Sequence, residues 1–447
     1  MAGGCTEAPS PAPLKPIASP IPERQMSPVR ETNPKTSPEP EPRTAPKKAN
    51  PAIRWATPGM VRWRTLFDDE VTFMRWSSLA GLLVSVGPHL HNVTSRGQDR
   101  WSFMGGEGHR VYEVDGEELV WSPRFETITH LLRWGRTGWK RKWAADLAED
   151  DRGGFLLIDA ATAAAIGPDG KDRWRAPIEG LRKLEGPFPC EGGNLFHGIR
   201  GLEGVAVNIS RRGAVVRETA LERGSIVLGS SPGCDPLVWN GKELGPMDAR
   251  GLYEWRHASS SSPMIATTRD GYLLLNADPK RPVQVEAIAL DGSTRWRADL
   301  PVSGRVTDFE TYGPGMDPDF VAMCMDVSSP CARPNGDRGP FNAILSRAAT
   351  GKYTILERHV QGHAGIAPNP EGGVFIASSS GENETVVASR SPDGAVRWER
   401  SLTGRLTAGP YVGPDGEVYV ATCAGWTCAT PFALYSMTGV PPKKDED

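Results

Sequence analysis

His89 and His91, separated by one leucine, are the first side chains along the chain whose spacing suits chemistry. Alternate residues of a strand share a face, so the pair offers two imidazoles of the kind copper or zinc accepts. No third ligand type lies nearby in sequence, and we read the two as a strand-end pair. His359 and His363 have the spacing of one helical turn, but the segment HVQGHAGIAP reads as a connection between strands. Asp317, Asp319, Asn335 and Asp337 carry oxygens that calcium accepts. Their Pro and Gly neighbours mark them as turn formers instead. Cys190, Cys234, Cys324, Cys331, Cys423 and Cys428 show no C-x-x-C spacing, so neither structural zinc nor covalent haem is expected. Local closure favours the disulfides Cys324–Cys331 and Cys423–Cys428, leaving Cys190 to pair with Cys234. An even set of this kind suits an oxidising compartment; the competing reading is six buried thiols in a cytosolic protein. No G-x-S-x-G, P-loop or paired-carboxylate motif appears. SPDGAVRW at 391–398 approaches a sialidase-type Asp-box, but its glycine comes one place early and Arg397 replaces Thr. The sequence therefore calls for no catalytic residue, no metal and no cofactor.

What must position these residues is a repeat. Gly-x-x-Arg-Trp recurs as GMVRW at 59–63, GQDRW at 97–101, GKDRW at 170–174, GSTRW at 292–296 and GAVRW at 394–398. Weaker copies are GWKRKW at 138–143, GAVVRE at 213–218 and LYEWR at 252–256. A second phrase precedes the first, a glycine and a short apolar run: GLLVSV, GFLLID, GYLLLN, GVFIAS and GEVYVA. Such runs bounded by Gly, Asp and Pro read as buried strands. Asp-Gly pairs supply the positive-φ positions of tight turns. ATAAAIG at 161–167 falls between a strand phrase and a turn, so it too reads as strand. The unit is a four-stranded blade, and recurrence over the chain predicts an all-β propeller. Counting slots gives seven to nine blades, with eight preferred. The first phrase, PGMVRW, lacks inner strands, and the last unit lacks an Arg-Trp strand. The Trp63 strand is therefore expected to complete the last blade beside the Tyr419 strand and close the ring. Trp63, Trp101, Trp174, Trp296 and Trp398 are expected to dock neighbouring blades.

DGSTRWRADL, PDGKDRWRAPI and PDGAVRWERSL, each after a strand such as GEVYVA, resemble the PQQ-like repeats of β-propeller proteins. The resemblance spans 58–439 and implies the propeller fold. That superfamily includes quinoprotein dehydrogenases and the propeller lipoprotein of the outer-membrane β-barrel assembly machinery. The dehydrogenases carry an adjacent Cys-Cys pair, which this chain lacks, and their calcium ligands and catalytic Asp have no matching residues here.

The chain has 447 residues, 38% of them hydrophobic, enough for one large repeat domain and a tail. A formal net charge of −3 gives no electrostatic case for nucleic acid. We read 6–52 as a disordered Pro-rich tether, 53–440 as the propeller and 441–447 as a frayed tail. Ala2-Gly3-Gly4-Cys5 resembles the end of a bacterial lipoprotein processing site, which makes 1–5 its remnant and Cys5 the lipidation site. The charged and apolar parts of a signal peptide do not precede it, which we read as a start placed too late or a trimmed sequence. Thr6 after Cys5, rather than Asp, suits outer-membrane sorting. The function expected is a non-enzymatic binding or scaffold module for an unknown protein partner. It would be lipid-anchored in a bacterial envelope at the outer membrane, facing the periplasm or cell surface. The alternatives are a periplasmic ligand-binding protein or quinoprotein-like enzyme using the central funnel, and a cytoplasmic repeat protein.

Overall fold

The computed structural model describes residues 57–439, apart from 79, 115–116, 144–145, 151–153, 160–161, 168, 260–262, 269, 277–281, 304–305, 313–317, 326–342, 348–352, 359–363, 380–382 and 426–427. The chain divides into two units, Met1–Asn50 and Pro51–Asp447. The expected tether, Cys5 and the tail 441–447 lie outside the described residues. So do His359, His363, Asp317, Asn335, Asp337 and Cys331.

The described residues fold into nine four-stranded antiparallel sheets. In chain order they are blade one (71–104), two (110–142), three (146–177), four (181–221), five (226–258), six (264–303), seven (306–358), eight (364–403) and nine (405–438 with 61–67). Within each blade the chain runs from the innermost strand outwards. The stretch 161–167 contains a strand, Thr162–Ile166, as its place between turns predicts.

The second strand of each blade is buried on both faces. Gly81–Val86 and Val374–Ser379 are almost wholly inaccessible. Neighbouring blades pack against both sides of the sheet, so these strands read as continuous apolar runs and not as alternating patterns. The core is therefore a set of layers between blades. One layer joins Val71, Met74, Leu82 and Val84 of blade one to Tyr419, Ala421 and Leu434 of blade nine. The next joins Phe375 and Leu402 of blade eight to Val418 and Tyr435 of blade nine.

Two sequence expectations change. Nine blades are present, where slot counting prefers eight, because every degenerate slot folds as a real blade. The slot in blade seven carries neither Arg nor Trp: its outer strand is Tyr353–Arg358, with Ile355 where the tryptophan would stand. Ring closure uses Val61–Phe67, but one strand further out than expected. It pairs with Ala429–Thr438, setting Trp63 opposite Ser436 and Phe67 opposite Phe432. The apolar FALYSM segment of that last strand fills the place beside Tyr419 first. Across the closing seam, the Trp76 backbone N–H of blade one donates to the Tyr411 hydroxyl of blade nine at 2.7 Å.

Candidate functional site

The repeated residues form a belt around the outer strands. Four of the five expected tryptophans lie over the turn glycine that opens the outer strand of the following blade. Trp63 covers Gly97, Trp101 covers Gly135, Trp174 covers Gly213 and Trp398 covers Gly59. A Cβ on Gly97 would stand 2.7 Å from the Trp63 ring, and φ there is +77°, so both sterics and backbone demand glycine. The indole N–H of Trp63 and of Trp101 donates to a backbone carbonyl of the same turn, and that of Trp398 to the end of the chain segment beside Gly59. Trp63 Nε1 reaches Ser95 O at 2.9 Å, Trp101 Nε1 reaches Arg133 O at 3.2 Å, and Trp398 Nε1 reaches Gly439 O at 3.2 Å. Two weaker copies take part. Trp255 covers Gly292 and donates to Leu290 O at 2.8 Å. Trp139 covers Gly170, so the working phrase of blade two is GRTGW at 135–139 and not GWKRKW. Trp296 meets Tyr353 of blade seven, with ring centroids 6.5 Å apart.

Blade four breaks the belt. In GAVVRE the valine Val216 stands in the arginine slot and Arg217 in the tryptophan slot. Arg217 reaches across the seam to blade five, donating to Cys234 O at 2.7 Å and pairing with Asp235 at 2.7 Å. The same seam holds the Cys190–Cys234 disulfide, which joins the innermost strand of blade four to the first turn of blade five. Ser230 Oγ donates to Pro189 O at 2.8 Å and the Glu191 N–H to Pro232 O at 3.0 Å, so the staple sits in a hydrogen-bonded junction. The Cys423–Cys428 disulfide instead closes a turn inside blade nine. Disulfides of this kind belong to oxidising compartments outside the cytosol. The pairing proposed for Cys324 lies outside the described residues.

The rim of blade four is apolar. Leu202 is 87% exposed, Val216 63%, Val215 42% and Ile199 38%. An open cleft of about 650 Å³ adjoins them, lined by Pro177, Ile178, Glu179, Gly180 and Val215 together with Arg200 and Glu218. Arg200 grips Glu218 with two hydrogen bonds of 2.7 and 3.0 Å. Those hydrogen bonds hold the Glu218 carboxyl below its ordinary value and raise the Arg200 guanidinium. The cleft thus carries an ion pair, the further acid Glu179 and an apolar lip.

His89 and His91 lie on the third strand of blade one, His89–Val93. His91 Nδ1 contacts Asp99 at 2.8 Å, and the His89 and His91 rings lie 6.1 Å apart. Among the described residues, no three His, Cys, Asp or Glu side chains gather where one ion can bind. A third histidine, invisible to spacing arguments, makes the sharper arrangement. His109 Nδ1 donates to Gly106 O at 2.8 Å, which leaves Nε2 to accept from Ser85 Oγ at 3.0 Å. Thr72 Oγ1 in turn donates to Ser85 Oγ at 3.2 Å. Burial lowers the His109 pKa, with nearby His89 adding to it against the Gly106 hydrogen bond. This is the orientation in which imidazole activates a serine. Yet Ser85 is 3% exposed and His109 7%, so a substrate has no approach. The chain of hydrogen bonds pins the loop between blades one and two to the second strand of blade one.

A buried carboxylate marks another seam. Glu286 of blade six is fully buried. Burial alone would raise its pKa, but hydrogen bonds from His257 of blade five and from Arg297 and Thr294 outweigh it and hold it at about 2.

No protein-family model matches the sequence, and no curated protein matches it. Solved structures similar in fold include a streptogramin B lyase, 14% identical with a TM-score of 0.36 over 60% of this chain and 89% of that one. Virginiamycin B lyase from Staphylococcus aureus is 10% identical with a TM-score of 0.37, over 70% of this chain and 94% of the other. A protein of unknown function from Bacteroides caccae is 14% identical with a TM-score of 0.28, over 65% and 92%. The class defined by fold is the β-propeller, and no activity is carried over from these neighbours.

Proposed function

We propose that this chain is a non-enzymatic protein-binding propeller of the bacterial envelope. On this reading Cys5 carries a lipid in the outer membrane, 6–52 spaces the ring from the membrane, and the ring grips a protein partner. The observation that carries the reading is the Cys190–Cys234 staple. It supplies a covalent link at the one described seam where a valine and an arginine replace Arg-Trp, which keeps the ring rigid in an oxidising compartment. A rigid ring presents its loops and rims at low ordering cost, as a binding platform must. The PQQ-like repeats and the lipoprotein-type sequence at 2–5 point the same way.

The test is cross-linking in the native host, with photo-reactive residues placed in the full chain at several rims. Discrete adducts with another protein are expected. Adducts with no protein from any rim would overturn the binding role.

A further inference from the structure

We infer that blade two carries a docking surface for an anionic phospholipid bilayer, formed by the turn 132–136 and the outer strand Thr137–Lys142. This contact is separate from the lipid proposed at Cys5 and from the protein that the ring grips. The segment reads LRWGRTGWKRK and holds Arg133, Arg136, Lys140, Arg141 and Lys142 without one acid. The chain as a whole has a net charge of −3, so the segment departs from its host. Among the described outer strands, this is the one with three consecutive cations. Arg141 is engaged, pairing with Asp172 of blade three at 2.8 Å and donating to Gly170 O at 3.0 Å. Arg133, Arg136, Lys140 and Lys142 are exposed and make no ion pair among the described residues. The acids around them are mostly taken: Asp99 contacts His91, Asp169 pairs with Lys171, and Asp172 holds Arg175 as well as Arg141. Glu126 adjoins Thr127, the partner of Lys142 across the sheet. Four cations against that one carboxylate leave the surface positive.

The tip of the turn is apolar. Trp134 is 61% exposed and Leu132 42%. In blades one, three, four, five, six and eight the residue before the turn glycine is Arg96, Asp169, Arg212, Arg250, Asp291 and Asp393; blade two puts a tryptophan there. The inner side of the turn is already filled, because Trp101 of blade one covers Gly135 and donates to Arg133 O at 3.2 Å. Trp134 therefore has no seat in the seam and is held outwards, with the Arg133 guanidinium 5.4 Å from its ring centre. A tryptophan and a leucine among cations fit a bilayer interface, where an indole settles at headgroup depth and basic side chains meet lipid phosphates. Two apolar side chains on a turn are too small a core for a specific protein interface. Single-stranded nucleic acid wants a row of stacking rings, and the next indole, Trp139, is half-buried over Gly170.

The test uses the full chain with Cys5→Ser, which keeps it independent of the lipid reading. The protein is sedimented with vesicles of phosphatidylcholine alone, or of phosphatidylcholine and phosphatidylglycerol in equal parts. Binding should appear with the mixed vesicles, be absent with phosphatidylcholine alone, and weaken as salt rises. Lys140→Gln combined with Lys142→Gln should weaken it about twentyfold, at about fivefold for each cation near an anionic surface. Trp134→Ser should weaken it several-fold. These side chains are exposed, so the fold is kept. Arg212→Gln, at an exposed cation in the matching turn of blade four, should leave binding unchanged. No binding to the mixed vesicles at low salt, equal binding to both kinds, or an equal loss from Arg212→Gln would overturn the proposal. Tighter binding to an oligothymidylate than to the mixed vesicles would overturn it too, assigning the surface to nucleic acid. A discrete protein adduct from a photo-reactive residue at 134 in the native host would also overturn it, assigning this rim to the gripped partner while the protein-binding reading stands.

Discussion

At the scale of single residues, the tryptophans and the buried carboxylate carry the seams. An indole that covers a glycine and donates to the next turn combines a large apolar contact with a satisfied N–H. Trp296→Ala removes the ring contact with Tyr353 and the burial around it at the blade six to seven seam. We expect a loss of about 3 kcal/mol in chemical denaturation; unchanged stability would contradict a docking role. Glu286 makes a different prediction. Its carboxyl is held at about 2, below its ordinary 4.5, so its ionised contacts stabilise the fold above 4.5. That contribution drains away as pH falls from 4.5 towards 2. Glu286→Gln should flatten stability over this window relative to wild type, read from midpoints of unfolding at successive pH values. An unchanged slope would mean that Glu286 is not ionised in the fold. Most of these roles cannot be read from sequence. Ser85 and His109 lie 24 positions apart, on a strand and a loop. No spacing rule links them until blades one and two are in place.

At the scale of elements, the strands were legible and their count less so. Short apolar runs between turn residues predict the inner strands because both faces of a blade are buried. ATAAAIG could be placed as strand only by its neighbours, since alanine itself favours helix. Blade seven escaped notice because Ile355 replaces the tryptophan and the Arg-Trp signal vanishes. Blade four was legible as a weak copy, but its meaning required the structure: Arg217 turns inward to Asp235 while Val216 faces out. The Cys190–Cys234 staple belongs to this scale. Cys234→Ser should cost about 2–4 kcal/mol. The loss should appear as faster amide exchange in 181–190 and 226–239, with the blade eight to nine seam unaffected. Uniform loosening of every blade would contradict a local staple.

At the scale of the whole molecule, closure through Val61–Phe67 was foreseen from two incomplete ends, because a ring must repay what one end lacks with what the other has spare. Compartment and partner are the parts that fold alone leaves open, since one propeller supports many activities. The Cys190–Cys234 and Cys423–Cys428 disulfides suit a compartment outside the cytosol. The lipid at Cys5 and the protein partner are the proposal made above. The most direct test is mass spectrometry of the mature chain from membrane and soluble fractions of its native host. The account predicts a lipid-modified Cys5 as the first residue, in the membrane fraction, with Cys190 and Cys234 joined. An unmodified amino terminus in the cytosol with free thiols would contradict it.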